Sequence, residues 1–213
     1  LKSGDIISGG RQDRVIAKDT ILPPGKQQHT IPVYCIEENR WSSHEKNFEY
    51  KRSAAAGLQK IIDSAHSQTK LWDEIRKLLK ANNQTSSSSY AALLTNKKVV
   101  DTSNQYLRYF LLQFSKRDSS IVGIIASTGS HVLGADVFVT ADLFYQTLPS
   151  LISKYSTETI LHGVTATKDN RKEKTYAEEI LSPSTQQPFI IKHGKMFYYK
   201  GKLIQLTGYS FHQ

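Results

Sequence analysis

The chain has 213 residues, 38% of them hydrophobic and 22% charged, with a net charge of +9 and a sequence pI near 9.5. A chain this long buries roughly 70% of the surface its unfolded form exposes, so folding requires neither metal nor cross-link. The single cysteine, Cys35, excludes an intramolecular disulfide, and no apolar run approaches the ~20 residues of a membrane span.

The first 41 residues read as β. Asp5-Ile6-Ile7 precedes Gly9-Gly10, Arg14 to Leu22 is β-branched, and Pro23-Pro24-Gly25 closes it as a turn. His29 to Ile36 reads as a second strand, with Pro32 pointing to a sheet edge. A polar break, Glu37-Glu38-Asn39-Arg40, leads to Trp41. Residues 42–66 are less regular, with a short helix expected over Ala54 to Ile62, weakened by Gly57.

The clearest helix is Gln68 to Ala81, where Leu71, Trp72, Ile75, Leu78 and Leu79 form one stripe. Asn82 to Ser89, with four consecutive serines, is the best candidate for a mobile tip. Asn104 to Phe114 follows as an amphipathic helix. Ile121 to Ser127 and His131 to Val139 pair as a hairpin about Thr128-Gly129-Ser130. Thr140 caps a helix from Ala141, with Asp142 in its first turn; Pro149 should kink or restart it. Residues 163–175 are polar, Tyr176 to Leu181 is a short helix stopped by Pro183, and Phe189 to Phe211 reads as a β-meander turning at His193-Gly194 and Lys200-Gly201. Strands, helices, a hairpin, a helix and strands in that order predict an α+β fold, a mostly antiparallel sheet with three or four amphipathic helices, in a single domain over 1–213.

The basic excess is spread along the chain, with a local excess at Lys192, Lys195, Lys200 and Lys202. A diffuse excess reads as a solubility feature, so nucleic acid is not the expected partner. Beginning at Leu1, the chain reads as trimmed or processed, with any signal peptide gone; a soluble protein, cytoplasmic or exported, is expected. Phosphate-loop, nucleophile-elbow and metal-ligand spacings are absent, so neither cofactor nor metal is predicted. Cys35 is either a nucleophile or a small buried residue on a strand.

Three places hold chemistry. Arg11, Gln12, Asp13 and Arg14 occupy four consecutive positions at the mouth of a strand. Strand alternation sets Arg11 with Asp13 and Gln12 with Arg14. The guanidinium fork suits carboxylate or phosphate; a solvated surface pair is the other reading. Glu37, Arg40 and Trp41 follow the neighbouring strand, and antiparallel pairing would carry them toward Gln12 to Arg14. Asp136 sits in an otherwise apolar strand, where a carboxylate must be exposed, shifted in pKa or paired, for example with Arg14.

The blocks SGDIISGGRQDRVIAKDTILPPG, IPVYCIEENRW, LWDEI and VGIIASTGSHVLGADVFVTADLF resemble a bacterial domain family named for its association with ADP-ribosylglycohydrolases and with rhodanese- and phosphatase-superfamily proteins. The resemblance covers most of residues 3–155. It implies that Gln12, Asp13, Arg14, Glu37, Arg40, Trp41 and Asp136 lie in the family's characteristic blocks, and it hints at a nucleotide-derived, ADP-ribose-like ligand; it carries no reaction. Three readings result. The first is a domain that binds an anionic or nucleotide-derived small molecule in a polar pocket. The second is a structural or protein-interaction domain, with an aromatic patch near Tyr198 and Tyr199. The third is a hydrolase of phosphate- or glycosidic-type bonds using two carboxylates among Asp13, Glu37 and Asp136. Catalytic residues and oligomeric state are not assigned.

Overall fold

Apolar alternation in short strands and apolar stripes in the helices build two compact units, Leu1–Gln105 and Tyr106–Gln213. The structure is a computed structural model that describes residues 1–25, 27–38, 47–129, 131–163 and 171–210. The fold is α+β, with seven helices and two four-stranded antiparallel sheets among the described residues.

The first unit carries β1 (Asp5–Ser8), β2 (Arg14–Ile16), β3 (Val33–Cys35) and β4 (Glu49–Ser53) in the order β3-β2-β1-β4. The helices α1 (Ala56–Ala65), α2 (Gln68–Ala81) and α3 (Tyr90–Leu94) follow. Ile6, Val15 and Ile16 of the sheet and Leu58, Leu71 and Ile75 of the helices are each at most 2% exposed. Ser67 caps α2 through its hydroxyl, which accepts from Lys70 N–H. The turn between β1 and β2 is made by Gly9 and Gly10, with φ of +144° and +58°. A Cβ on Gly9 would lie 2.5 Å from the Asn47 carbonyl oxygen, so only glycine fits there.

The division falls within α4 (Lys97–Gln113). The second unit holds β5 (Gly123–Thr128), β6 (His131–Phe138), α5 (Ala141–His162), α6 (Arg171–Leu181), α7 (Gln186–His193), β7 (Gly194–Tyr199) and β8 (Lys202–Tyr209). Its strands run β5-β6-β8-β7, all antiparallel. Alternation sends Ala135 and Leu206 against Tyr176, Ile180, Phe189 and Ile190 of α6 and α7. Phe138 points the other way, against Phe144, Leu148, Leu151 and Ile152 of α5.

Several elements depart from the sequence expectation. The Arg14 strand stops at Ile16, and beyond it the Asp19 side chain accepts from Ser3 N–H at 2.9 Å. The second strand shortens to Val33–Cys35, immediately after Pro32 and at the sheet edge. β4, not expected from the sequence, extends the sheet beside β1. α4 begins seven residues before Asn104, because the Asn96 side chain accepts from Lys98 N–H at 3.0 Å and starts the helix. α5 passes Pro149 without restarting; burial of Leu148, Leu151 and Ile152 on its core face outweighs the ~3 kcal/mol cost of an internal proline. The meander loses its first strand: Gln186–His193 is helical, with Phe189 N–H donating to the Thr185 carbonyl at 3.0 Å. What remains is the β7–β8 hairpin, whose Lys200-Gly201 turn has φ of +49° and +75°, as a two-residue turn of this hand requires.

Candidate functional site

In the first unit, antiparallel pairing places Arg14 opposite Cys35 and Val15 opposite Tyr34. The register continues as Ile36 N–H donates to Asp13 O at 3.3 Å, so Glu37 arrives beside Gln12 and Asp13. Four of the predicted residues therefore meet. Gln12 Nε2 donates to the Glu37 carbonyl at 3.3 Å, and Asp13 N–H donates to Glu37 Oε2 at 3.2 Å. Arg14 Nη1 donates to Gln12 Oε1 at 3.4 Å and to Cys35 Sγ. The Gln12–Arg14 bond places these two side chains on one face, as alternation requires.

Two further segments fix this edge. Glu37 Oε1 accepts from Ser89 Oγ at 2.8 Å, and Glu37 bridges Ser89 through the backbone. Ser88 Oγ donates to the Glu38 carbonyl at 2.7 Å, and Ser89 is 2% exposed. The end of the serine run is therefore stitched to the segment after β3 at Glu37 and Glu38 rather than forming a loose tip. The Gln68 side-chain amide clamps Cys35, accepting from its N–H and donating to its carbonyl, both at 2.8 Å, and Trp72 Nε1 donates to the same carbonyl at 3.0 Å. Side chains of α2 thus occupy backbone groups on the open edge of β3, where an unprotected strand would recruit another. Cys35 is half-buried, with its backbone spent on this clamp and its sulfur against Arg14.

Gln12 and Glu37 are buried at 5% and 6% exposure, Asp13 and Arg14 are half-buried, and Arg11 is exposed. Arg14 reaches Gln12 and Cys35 through one nitrogen, and no carboxylate among the described residues forms an ion pair with it. Arg40 and Trp41 lie outside the described residues.

Asp136 is the centre of a different constellation, built by the second unit. β6 and β8 pair Asp136 with Thr207, on the face that α5 covers. The carboxylate is 0% exposed. It is ion-paired with Lys154 Nζ, and accepts from Tyr155 OH at 2.8 Å, Gln205 Nε2 at 2.7 Å and Thr207 Oγ1 at 3.0 Å. Gly134, at φ +148°, makes room for Tyr155: a Cβ there would lie 2.6 Å from Gly208 O and 3.2 Å from the Tyr155 hydroxyl. Burial, then the Asp136 charge and its hydrogen bond, push the Tyr155 phenol well above its ordinary pKa. Tyr176 is raised too, by burial first and by Asp136 second. Such phenols stay neutral donors and are poor bases.

Asp136 thus has Lys154 as its ion-pair partner, where the sequence suggested an arginine such as Arg14. Sequence reasoning missed Lys154, although it falls three residues after Leu151 in the buried stripe of α5. A lysine in a helix stripe and an aspartate in an apolar strand each need a partner, and that shared need was the available signal. Gln205, Thr207, Gln68 and Ser89 gave no such signal. Among the described residues no three His, Cys, Asp or Glu could hold a metal ion, and no helix is long and apolar enough to cross a membrane.

The sequence profile of the ARG and Rhodanese-Phosphatase-superfamily-associated Protein domain matches residues 1–207. No curated protein and no solved structure matches the chain.

Proposed function

Because the chain belongs to the ARG and Rhodanese-Phosphatase-superfamily-associated Protein domain family, we propose that it is a binding domain for an anionic, nucleotide-derived small molecule of ADP-ribose type, anchored by Arg14. The observation that carries this reading is the state of that side chain. Its guanidinium is held on one side by Gln12 and Cys35, is half-buried, and meets no ion-pairing carboxylate among the described residues. A cation positioned in advance offers its remaining N–H donors to a phosphate at little ordering cost.

Gln12 and Glu37 supply the frame rather than the anchor. The Glu37 carboxylate is spent on the Asp13 amide and the Ser89 hydroxyl, so it sets the approach of the two segments. This arrangement also favours a second reading, in which the cluster only braces the β2–β3 edge of a protein-interaction domain. Hydrolysis by paired carboxylates is supported less, because Asp136 is enclosed and fully hydrogen-bonded.

A thermal-shift panel of ADP-ribose, AMP and inorganic phosphate separates the readings. Anion binding predicts stabilisation of the wild type by a phosphate-bearing compound and none of Arg14→Gln. A brace alone predicts no stabilisation of either protein, with Arg14→Gln simply less stable.

A further inference from the structure

The second unit contains a cavity of about 430 Å³, within the range of small-molecule sites. Its walls come from α4 and the residue after it, β5, Leu133 of β6, and α5. Tyr106 and Phe110 of α4 and Phe114 just past its end recur every four residues, so they form one aromatic stripe; the Tyr106 and Phe110 rings stack at 6.3 Å. Ile124 and Ala126 of β5 form the floor, on the α5-facing side of the sheet, since they pair with Asp136 and Gly134. Leu148, Ile152, Tyr155 and Thr159 of α5 form the far wall.

Two features make this a shaped site rather than loose packing. Tyr155 contributes its ring to the lining while its hydroxyl is fixed on Asp136 at 2.8 Å, so the α5 wall is pinned to the sheet. Phe114 is fixed in turn by an edge-to-face contact with Phe144 at 5.9 Å. At the rim, Tyr106 and Phe110 are each 37% exposed.

The lining has no charged side chain. An anion would lose its hydration there without a cation to replace it, which is costly. The wall is therefore chemically opposite to the Arg14 edge. Aromatic faces favour a flat ring, which they meet by offset stacking or edge contacts. The lining also carries the hydroxyl residues Ser127, Thr128 and Ser156, and Thr159 supplies the polar contact on the α5 wall. Its hydroxyl donates to the Tyr155 carbonyl at 3.0 Å, so toward the cavity its oxygen acts as an acceptor.

We propose that this cavity is a binding site for an uncharged, planar, ring-bearing small molecule that carries a hydrogen-bond donor. The site is independent of the anion reading and lies in the other unit. Indole is a suitable probe, being neutral and flat with one N–H. N-methylindole lacks the donor, and indole-3-carboxylate adds a charge.

Calorimetric titration of the full chain should give saturable indole binding with a Kd on the order of 1 mM or tighter for so small a ligand, and none with indole-3-carboxylate. Ala126→Phe fills the floor and should abolish indole binding. Thr159→Val keeps the shape of the wall and should weaken indole about fivefold, the worth of one net hydrogen bond, while leaving N-methylindole unchanged. Arg14→Gln should bind indole as the wild type does, so failure of the anion reading leaves this one standing. No saturable binding by the wild type, equal binding by folded Ala126→Phe, or carboxylate binding as tight as indole overturns the site. An indole to N-methylindole ratio unchanged by Thr159→Val overturns the assigned donor contact.

Discussion

Replacing Lys154 with Met keeps the buried stem but removes the ammonium facing Asp136. The carboxylate is then left at 0% exposure with three neutral donors, Tyr155, Gln205 and Thr207. Breaking one side of a buried pair costs about 3–5 kcal/mol. A ceiling follows from protonation: a carboxyl group can take up a proton at pH 7 for about 4 kcal/mol, 1.36 kcal/mol for each unit above its usual 3.9. The expected loss for Lys154→Met is therefore about 3–4 kcal/mol, or roughly 10 °C in Tm for a chain of this length. Asp136→Asn strands the ammonium instead. The Tyr155 ring, 4.4 Å from Nζ, returns at most about 2 kcal/mol. The double variant has no buried charge and should recover at least about 2 kcal/mol of the summed losses. Urea unfolding followed by circular dichroism measures the cycle. Single losses under about 1 kcal/mol, or additivity within about 0.5 kcal/mol, would mean that Lys154 and Asp136 are not a coupled buried pair.

The same network sets an alkaline limit. The folded-state phenol of Tyr155 is raised above its ordinary value of 10.0, so the unfolded chain loses that proton first. Its contribution to stability is complete below pH 10 and falls as pH rises toward the folded value. Tyr155→Phe should therefore flatten the loss of stability above pH 10, seen in urea midpoints at several pH values; an unchanged slope argues against a buried neutral phenol. Gly134→Ala places a Cβ at φ +148° and 2.6 Å from Gly208 O. Strain and displacement of Tyr155 should cost more than about 2 kcal/mol, and a thermal melt within 2 °C of wild type would count against it.

The sequence made the regular parts legible where one face was apolar. α2 matched because Leu71, Ile75, Leu78 and Leu79 recur at helical spacing and Ser67 stands at its cap. The β5–β6 hairpin and the start of α5 at Thr140 were read from turn residues and a capping hydroxyl. A boundary failed where a local hydrogen bond decided it, as at Asn96 before α4, and the end of β2 differed where Asp19 bonds Ser3, distant in the chain. Phe189 and Ile190 misled because two apolar residues in succession suit a strand or a buried helix turn equally, and only their packing on Tyr176 and Ile180 distinguishes the two. At the candidate site, pairing logic brought Gln12, Asp13, Arg14 and Glu37 together correctly. The Asp136 partners came from α5 and β8, whose approach no local pattern encodes.

The proposed role of Arg14 as an anion anchor, held ready by Gln12 and Cys35, is read out by calorimetric titration of ADP-ribose into wild type, Arg14→Lys and Arg14→Gln. The wild type should bind saturably, and more weakly as salt rises. Arg14→Lys should bind at least about tenfold more weakly, because a point charge cannot replace the planar fork, and Arg14→Gln should not bind. Equal affinities across the three proteins, or no binding by the wild type, would contradict it.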